Sequence, residues 1–201
     1  FPPFFLGHHP GKQIITASAN AGLARDFGKN VRDMIKDNPA YRVLFPNTAI
    51  DEDTRAQGRW DTTDGGIYVS SSIGASIIGR GADCLLIDDA FSSRAEAESA
   101  AAREAVWSWY TSVARPALMP GGVVVVINTR WHQDDLCGRL LKAEEEGTGE
   151  KWEVVSIEAL CEHPETDPLN RKLGEAAWPQ SYPVPDLLAL KNLDEGEFEA
   201  Q

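Results

Sequence analysis

Cysteine is scarce in this chain of 201 residues. Cys84, Cys137 and Cys161 lie far apart and no two form a Cys-x-x-Cys pair. Cys84 and Cys137 fall in apolar patterns and read as core thiols of a reducing compartment. Long apolar runs are missing too. Nothing reaches the ~18 residues that a membrane helix needs, so no membrane partner is expected. His8, His9, His132 and His163 follow no metal-ligand spacing. Positive charge is in short supply, with 19 Lys and Arg against 31 Asp and Glu and a formal net charge of -12. A chain this acidic has no general field for nucleic acid, so any DNA contact must be confined to a local basic surface. Internal repeats are absent. So is the phosphate-binding Gly-Lys-Ser/Thr, because Gly11-Lys12 is followed by Gln13 and Gly28-Lys29 by Asn30. The opening "FPPFFLGHHPGKQ" carries two prolines and no basic lead-in, which is not the pattern of a signal peptide. It lacks a starting Met and reads as the middle of an element, the mark of a fragment.

The composition, 42% hydrophobic and 25% charged, suits one globular α/β domain with a sizeable core. The β-branched run "QIITAS" (13–18) predicts a strand. Asn20 caps a following helix whose core face is Leu23, Phe27, Val31, Met34 and Ile35. "YRVLFP" (41–46) reads as a further strand. "RWDTTDGGIYVSSS" reads as a hairpin turning at Asp64-Gly65-Gly66. After the next strand, Ser93 and Glu96 predict a capping box. The helix it opens carries Ala102, Val106, Trp109 and Val113 on its core face. "GGVVVVINTR" (121–130) has the continuous apolar run of a central parallel strand buried on both faces. Leu136, Leu140 and Leu141 line a helix with Asp134 and Asp135 in its first turn, and Gly147 closes it. "KWEVVSIEAL" (151–160) predicts a last strand, and a short leucine helix follows near 186–193. The alternation predicts a doubly wound, mainly parallel sheet with right-handed crossovers.

Chemistry concentrates at two strand ends. The run Cys84-Leu85-Leu86-Ile87 ends in Asp88-Asp89, and unpaired buried acids are costly unless they have work to do. In an open parallel sheet, ligands gather at the carboxyl ends of the strands. Asp88 is placed to hold Mg²⁺, a hard cation that takes oxygen ligands. Asp89 is placed to orient or deprotonate a water. The second strand ends in Asn128-Thr129-Arg130, of which Thr129 and Arg130 could bind a terminal phosphate. The bland alternatives stand beside these readings. Asp88-Asp89 could be a solvated strand end leading into a capped helix, and Arg130 could pair with Asp134 on the surface. A metal-dependent nuclease using Asp88, Asp89, Asp134 and Asp135 is a further reading, although a two-metal site wants carboxylates converging from different elements. So is a non-catalytic interaction module that kept the fold and lost the phosphate loop.

Taken together, "GHHPGKQIITASANAGLARDFGKNVRDMI", "IIGRGADCLLIDDAFSSRAEAES", "VWSWYTSVARPALMPGGVVVVINTRWHQDDLCGRLL" and "GEAAWPQSYP" resemble the ATPase domain of the large terminase subunit of tailed bacteriophages. The resemblance runs in order over nearly the whole chain. It implies a three-layer, mainly parallel α/β sheet of the P-loop NTPase type, the additional-strand catalytic glutamate class, here with a β-hairpin insertion. It implies an ATP- and Mg²⁺-dependent motor that drives double-stranded DNA into a preformed capsid, and a further nuclease domain that cuts the DNA concatemer. The implied partners are double-stranded DNA, further copies in a homo-oligomeric ring, a portal protein and a small terminase subunit, in the cytoplasm of an infected bacterial host. The family pattern places the phosphate loop just before Phe1, so residues 1–201 would be a single ATPase domain cut at both ends and inactive alone. Leu85-Leu86-Ile87-Asp88-Asp89 matches the Walker B strand, with Asp88 in the magnesium role. Asp89 stands where many such ATPases have a catalytic Glu, one methylene longer. Asn128-Thr129-Arg130 matches the motif that couples phosphate loss to movement. Arg94, and after it Arg80, are the candidates for an arginine finger reaching a neighbouring subunit's ATP. The sequence does not identify the DNA-facing surface; Arg25, Lys29 and Arg32, on the polar side of the first long helix, are candidates for it.

Overall fold

The computed structural model describes residues 1–54, 56, 58–77, 79 and 81–200, with the backbone alone at 197, 199 and 200. The chain divides into two compact units, Phe1–Asn128 and Thr129–Gln201.

The first unit is built on a five-stranded sheet. Its strands are β1 (Gln13–Ser18), β2 (Arg59–Asp61), β3 (Ile67–Ser72), β4 (Ala82–Asp88) and β5 (Leu118–Ile127). The order is β2-β3-β1-β4-β5, and every pairing is parallel except β2 with β3. This is the expected mainly parallel α/β architecture. The hairpin is present, with Asp64-Gly65 at its turn and Gly65 at φ +85. Its second arm is no insertion, because β3 pairs along its whole length with β1.

Helices α1 (Pro2–His8), α2 (Ala21–Asp37) and α3 (Pro39–Leu44) belong to the same unit. Leu6, Ile14, Ile35, Tyr41, Ile50, Trp60, Tyr68 and Cys84 form one buried cluster. Asn20 caps α2 as expected, its carboxamide oxygen accepting from Gly22 N and Leu23 N. The packed face of α2 differs from the sequence expectation. Ala24, Gly28 and Ile35 are buried, whereas Leu23, Phe27 and Met34 are exposed. The cause is close approach: Trp60 Nε1 donates to Gly28 O at 3.2 Å. Small residues let the helix come near, and the bulky stripe one step around is left outside. Trp60 also stacks on Tyr68, centroids 4.7 Å apart.

Residues 41–46 are not a strand. Asn38 accepts from Ala40 N and Tyr41 N, and Pro39 supplies a preset first helical φ, so α3 forms instead. The helix expected after Ser93 is present in two pieces, α4 (Arg94–Glu98) and α5 (Ala100–Trp109), because Ser99 leaves helical geometry and caps the second. Ser93 Oγ accepts from Glu96 N as in a capping box, but the Glu96 carboxylate turns to Ser92 N and Oγ. Val106 and Trp109 are buried as expected, and a π-turn over Tyr110–Ala114 ends the run.

Strand β5 is parallel to β4, but it is not buried on both faces. It lies at the sheet edge, and none of its residues is fully buried. Met119, Val123 and Ile127 are about half exposed, at 49%, 47% and 50%. An apolar run of this kind is composed for the middle of a sheet, and among the described residues its outer side has no partner strand.

The second unit holds α6 (Leu136–Glu145), α7 (Val184–Leu193) and α8 (Glu195–Ala200). Leu136 and Leu140 are buried on α6, and Gly147 follows its end at φ +69. Asp135 is the cap of α6 rather than part of its first turn, accepting from Gly138 N at 2.8 Å. Residues 151–158 form no strand, because their backbone finds no ladder partner among the described residues. Val154, Val155 and Ile157 stand exposed. The later loop is fastened by the ion pair of Arg171 with Asp167, both buried, and by Arg171 Nη1 donating to Glu158 O at 2.8 Å.

Candidate active site at the carboxyl end of the sheet

Strand β4 is buried from Cys84 through Ile87, then delivers Asp88 and Asp89 to a half-buried position at its carboxyl end. Both neighbours hold this end in place. Ser18 on β1 and Ile127 on β5 are the register partners of Asp88. Asp89 N donates to Ile127 O at 3.0 Å, and Ala19 N donates to Asp89 O at 3.1 Å. One residue on, Ala90 N donates to Asn128 Oδ1 at 3.3 Å. The end of the acid-bearing strand is thus tied directly to Asn128, the first residue of the Asn128-Thr129-Arg130 motif.

Asp89 has φ +48, in the left-handed region that non-glycine residues seldom occupy. Such backbone strain collects at functional sites, where surrounding bonds hold it. The Asp88 carboxyl is pushed above the ordinary carboxylate range, first by desolvation and then by the neighbouring Asp89 charge. A half-buried Asp88 whose ionisation is made costly by desolvation and by the adjacent carboxylate favours a cation beside it. The donors are all oxygen, the set that a hard divalent cation prefers. Asp88 and Asp89 therefore fit Mg²⁺ by chemistry and by charge. Among the described residues, no group of three or more His, Cys, Asp and Glu forms a ready-made metal cage. Substrate oxygens and water would complete the shell, as Mg²⁺ commonly requires.

The other sequence candidates fall as follows. Thr129 and Arg130 open the second unit. Arg130 Nε donates to Asp135 Oδ2 at 2.8 Å, with Asp135 only 1% exposed. Its partner is therefore Asp135 and not Asp134, which instead takes the Arg139 guanidinium on both carboxylate oxygens. With Asp135 capping a helix and holding Arg130, and Asp134 holding Arg139, neither is presented as a ligand of the kind the nuclease reading needs. Arg94 is the first residue of α4 and pairs with Glu98 at 3.1 Å. Arg80 lies outside the described residues. Arg25 and Lys29 are exposed on α2, while Arg32 pairs with Asp33. Two features had no signal strong enough to be read in advance: the left-handed conformation of Asp89, and the buried Ser18 hydroxyl beside Asp88. The one hint for Ser18 was a polar residue closing an apolar strand.

Cys84 is wholly buried and its thiol is pushed up to about 12 by desolvation, then by Asp83, which suits an inert core thiol. Cys137 is half-buried, with its thiol raised to about 11, first by desolvation.

Comparison with known proteins bears on the fold and the family. The solved structure of the HK97 bacteriophage large terminase superposes with a TM-score of 0.50 at 12% identity, covering 94% of this chain and 40% of that one. At that identity the likeness speaks for the fold. The chain thus spans well under half the length of that structure. No curated protein matches the chain. The family model described as "Terminase large subunit, T4likevirus-type, N-terminal" matches residues 1–199. With nearly every residue inside that match, the chain belongs to the terminase large subunit family, as part of its N-terminal region.

Proposed function

We propose that this chain is the ATP-hydrolysing part of a viral DNA-packaging motor and that its chemistry runs at Asp88 and Asp89. The observation that carries the reading is the paired-acid end of β4, with Asp89 in a strained conformation between two hydrogen-bonded neighbours, in a chain of the terminase family. Asp88 holds the divalent cation, which when bound neutralises charge on the phosphates. Asp89 orients the attacking water and accepts its proton as the water oxygen bonds to the terminal phosphorus, the bond from that phosphorus to the bridging oxygen breaks, and ADP leaves with the electron pair. Ala90 N donates to Asn128 Oδ1, so a shift at Asp89 is transmitted through Ala90 to Asn128. Thr129 and Arg130 bind the terminal phosphate in this reading, and Arg130 is oriented for it by the buried Asp135. Arg94 acts in trans on the next subunit's ATP, with Arg80 the second candidate. An i,i+4 surface pair such as Arg94–Glu98 is worth only about 0.3–0.5 kcal/mol.

The phosphate cradle is not in these residues, which contain no Gly-Lys-Ser/Thr. The outer edge of β5, which has no partner strand among the described residues, and its half-exposed Met119, Val123 and Ile127 support a further parallel strand there. In this reading that strand leads to the phosphate loop and lies outside residues 1–201. The segment 151–158, which joins no sheet among the described residues and exposes Val154, Val155 and Ile157, supports the same incompleteness. The 201 residues alone should therefore hydrolyse no ATP. The full protein works as a ring on double-stranded DNA, with the portal protein and the small terminase subunit, in the cytoplasm of the infected host, and its remaining length carries the nuclease that cuts concatemers. No helix among the described residues is long and apolar enough to cross a membrane. The test is ATP turnover by the full-length protein with Asp89→Asn. Loss of turnover with nucleotide binding retained supports the reading, and normal turnover defeats it.

A further inference from the structure

The carboxyl end of β1 carries a polar group with no evident purpose. Ser18 is 2% exposed, and its Oγ has no hydrogen-bond partner among the described residues. The next polar side chain down the same strand is treated differently. Thr16, buried as well, meets the Tyr68 hydroxyl at 2.7 Å and reaches Val69 O at 3.5 Å. Tyr68 in turn is wedged under Trp60. The column Tyr68–Thr16 is satisfied, and the hydroxyl at its top is not. Buried polar atoms are nearly always paired, and an orphan in a native protein commonly marks a water, an ion or a catalytic part.

Its position says which. Ser18 and Asp88 are register partners on neighbouring parallel strands, so their side chains stand on the same face of the sheet. Neighbouring strands lie about 4.8 Å apart. A strand spacing of that size is one that a single bridging water can span between side chains of register partners. Serine is neutral and can donate or accept, so it can serve a water held by a carboxylate without adding charge.

We propose that Ser18 is a positioning residue for the divalent-cation site at Asp88, its hydroxyl binding a water that Asp88 and the cation's shell also hold. The proposal rests on the ATPase reading above and adds a residue on a third strand to it. Ser18 takes no part in proton transfer. It fixes where Asp88 presents its oxygen.

The test uses the full-length protein, with Mn²⁺ as the probe cation and ADP as the nucleotide. Mn²⁺ binding is read from its electron paramagnetic resonance signal, ADP binding is measured separately in EDTA, and melting temperature is recorded for each variant. Ser18→Ala should weaken Mn²⁺ binding in the presence of ADP about tenfold, the usual scale for an outer-shell partner. ADP binding in EDTA should be unchanged, and melting should stay level or rise, because an orphan hydroxyl has been removed. Mn²⁺ affinity within twofold of the unaltered protein would overturn the proposal. So would a lowered melting temperature or a loss of ADP binding in EDTA, either of which makes the hydroxyl a fold determinant. If the unaltered protein itself shows no Mn²⁺-dependent nucleotide binding, the ATPase reading fails first.

Discussion

Replacing Asp89 by glycine should separate stability from chemistry. The residue sits at φ +48. An L-residue there pays roughly 1–2 kcal/mol, with Asp at the low end because its short polar side chain can bond locally. Glycine removes the penalty but adds about 0.5–1 kcal/mol of backbone entropy lost on folding. The two nearly cancel, so Asp89→Gly should fold within about 0.5 kcal/mol of the unaltered protein. Alanine keeps the left-handed penalty and discards the polar side chain, so Asp89→Ala should fall below Asp89→Gly by about 1 kcal/mol. For a domain of about 200 residues melting as its own unit that is about 2–4 °C in melting temperature. Both variants lose the carboxylate, so both should lose ATP turnover in the full-length protein. Thermal melting and a phosphate-release assay on the same preparations decide it. An alanine variant that melts at or above the glycine variant would show that the backbone conformation carries no strain. Retained turnover in either would remove Asp89 from the reaction.

Asp88→Asn should raise stability at neutral pH in metal-free buffer. The folded carboxyl titrates above its ordinary value of 3.8 because of desolvation and then Asp89. Its favourable contribution is therefore complete below that value and is lost as pH rises through the raised one. The melting difference between Asp88→Asn and the unaltered protein should grow from pH 3 to pH 7, and a difference independent of pH would contradict the assignment. Arg94→Ala in assembled rings should lower turnover ~10³-fold or more, as removal of other arginine fingers does. Mixing with Asp89→Asn subunits should restore part of it, and normal turnover by Arg94→Ala rings moves the role to Arg80. In the full-length protein, the backbone amides of 152–158 and of the outer edge of β5 should resist hydrogen exchange, because a completed sheet pairs them. Exchange at the rate of an open loop would count against the missing strand.

The parts of the fold that follow from local chemistry were legible in the sequence. Asn20 and Ser93 cap where expected, Asp64-Gly65 turns the hairpin, and β1, β4 and β5 lie where their apolar runs put them. The acids at 88 and 89 could be picked out because an apolar strand has no other use for them. Errors arose where packing overrides pattern. The α2 stripe of Leu23, Phe27 and Met34 has helical period, yet Gly28 rather than bulk decides which side meets Trp60. Residues 41–46 have strand-like composition, yet Asn38-Pro39 starts a helix. The 151–158 segment and β5 have the composition of buried strands, and composition cannot say whether a partner strand is at hand. Ser18 was invisible because only register, which is non-local, sets it against Asp88.

The central claim is that the paired acids at the end of β4 hydrolyse ATP. Its most direct test is DNA-stimulated phosphate release by the full-length protein, unaltered and as Asp89→Asn, with nucleotide binding measured on the same samples. The account predicts robust turnover in the first, none in the second, and comparable nucleotide binding in both. Equal turnover in the two proteins would contradict it.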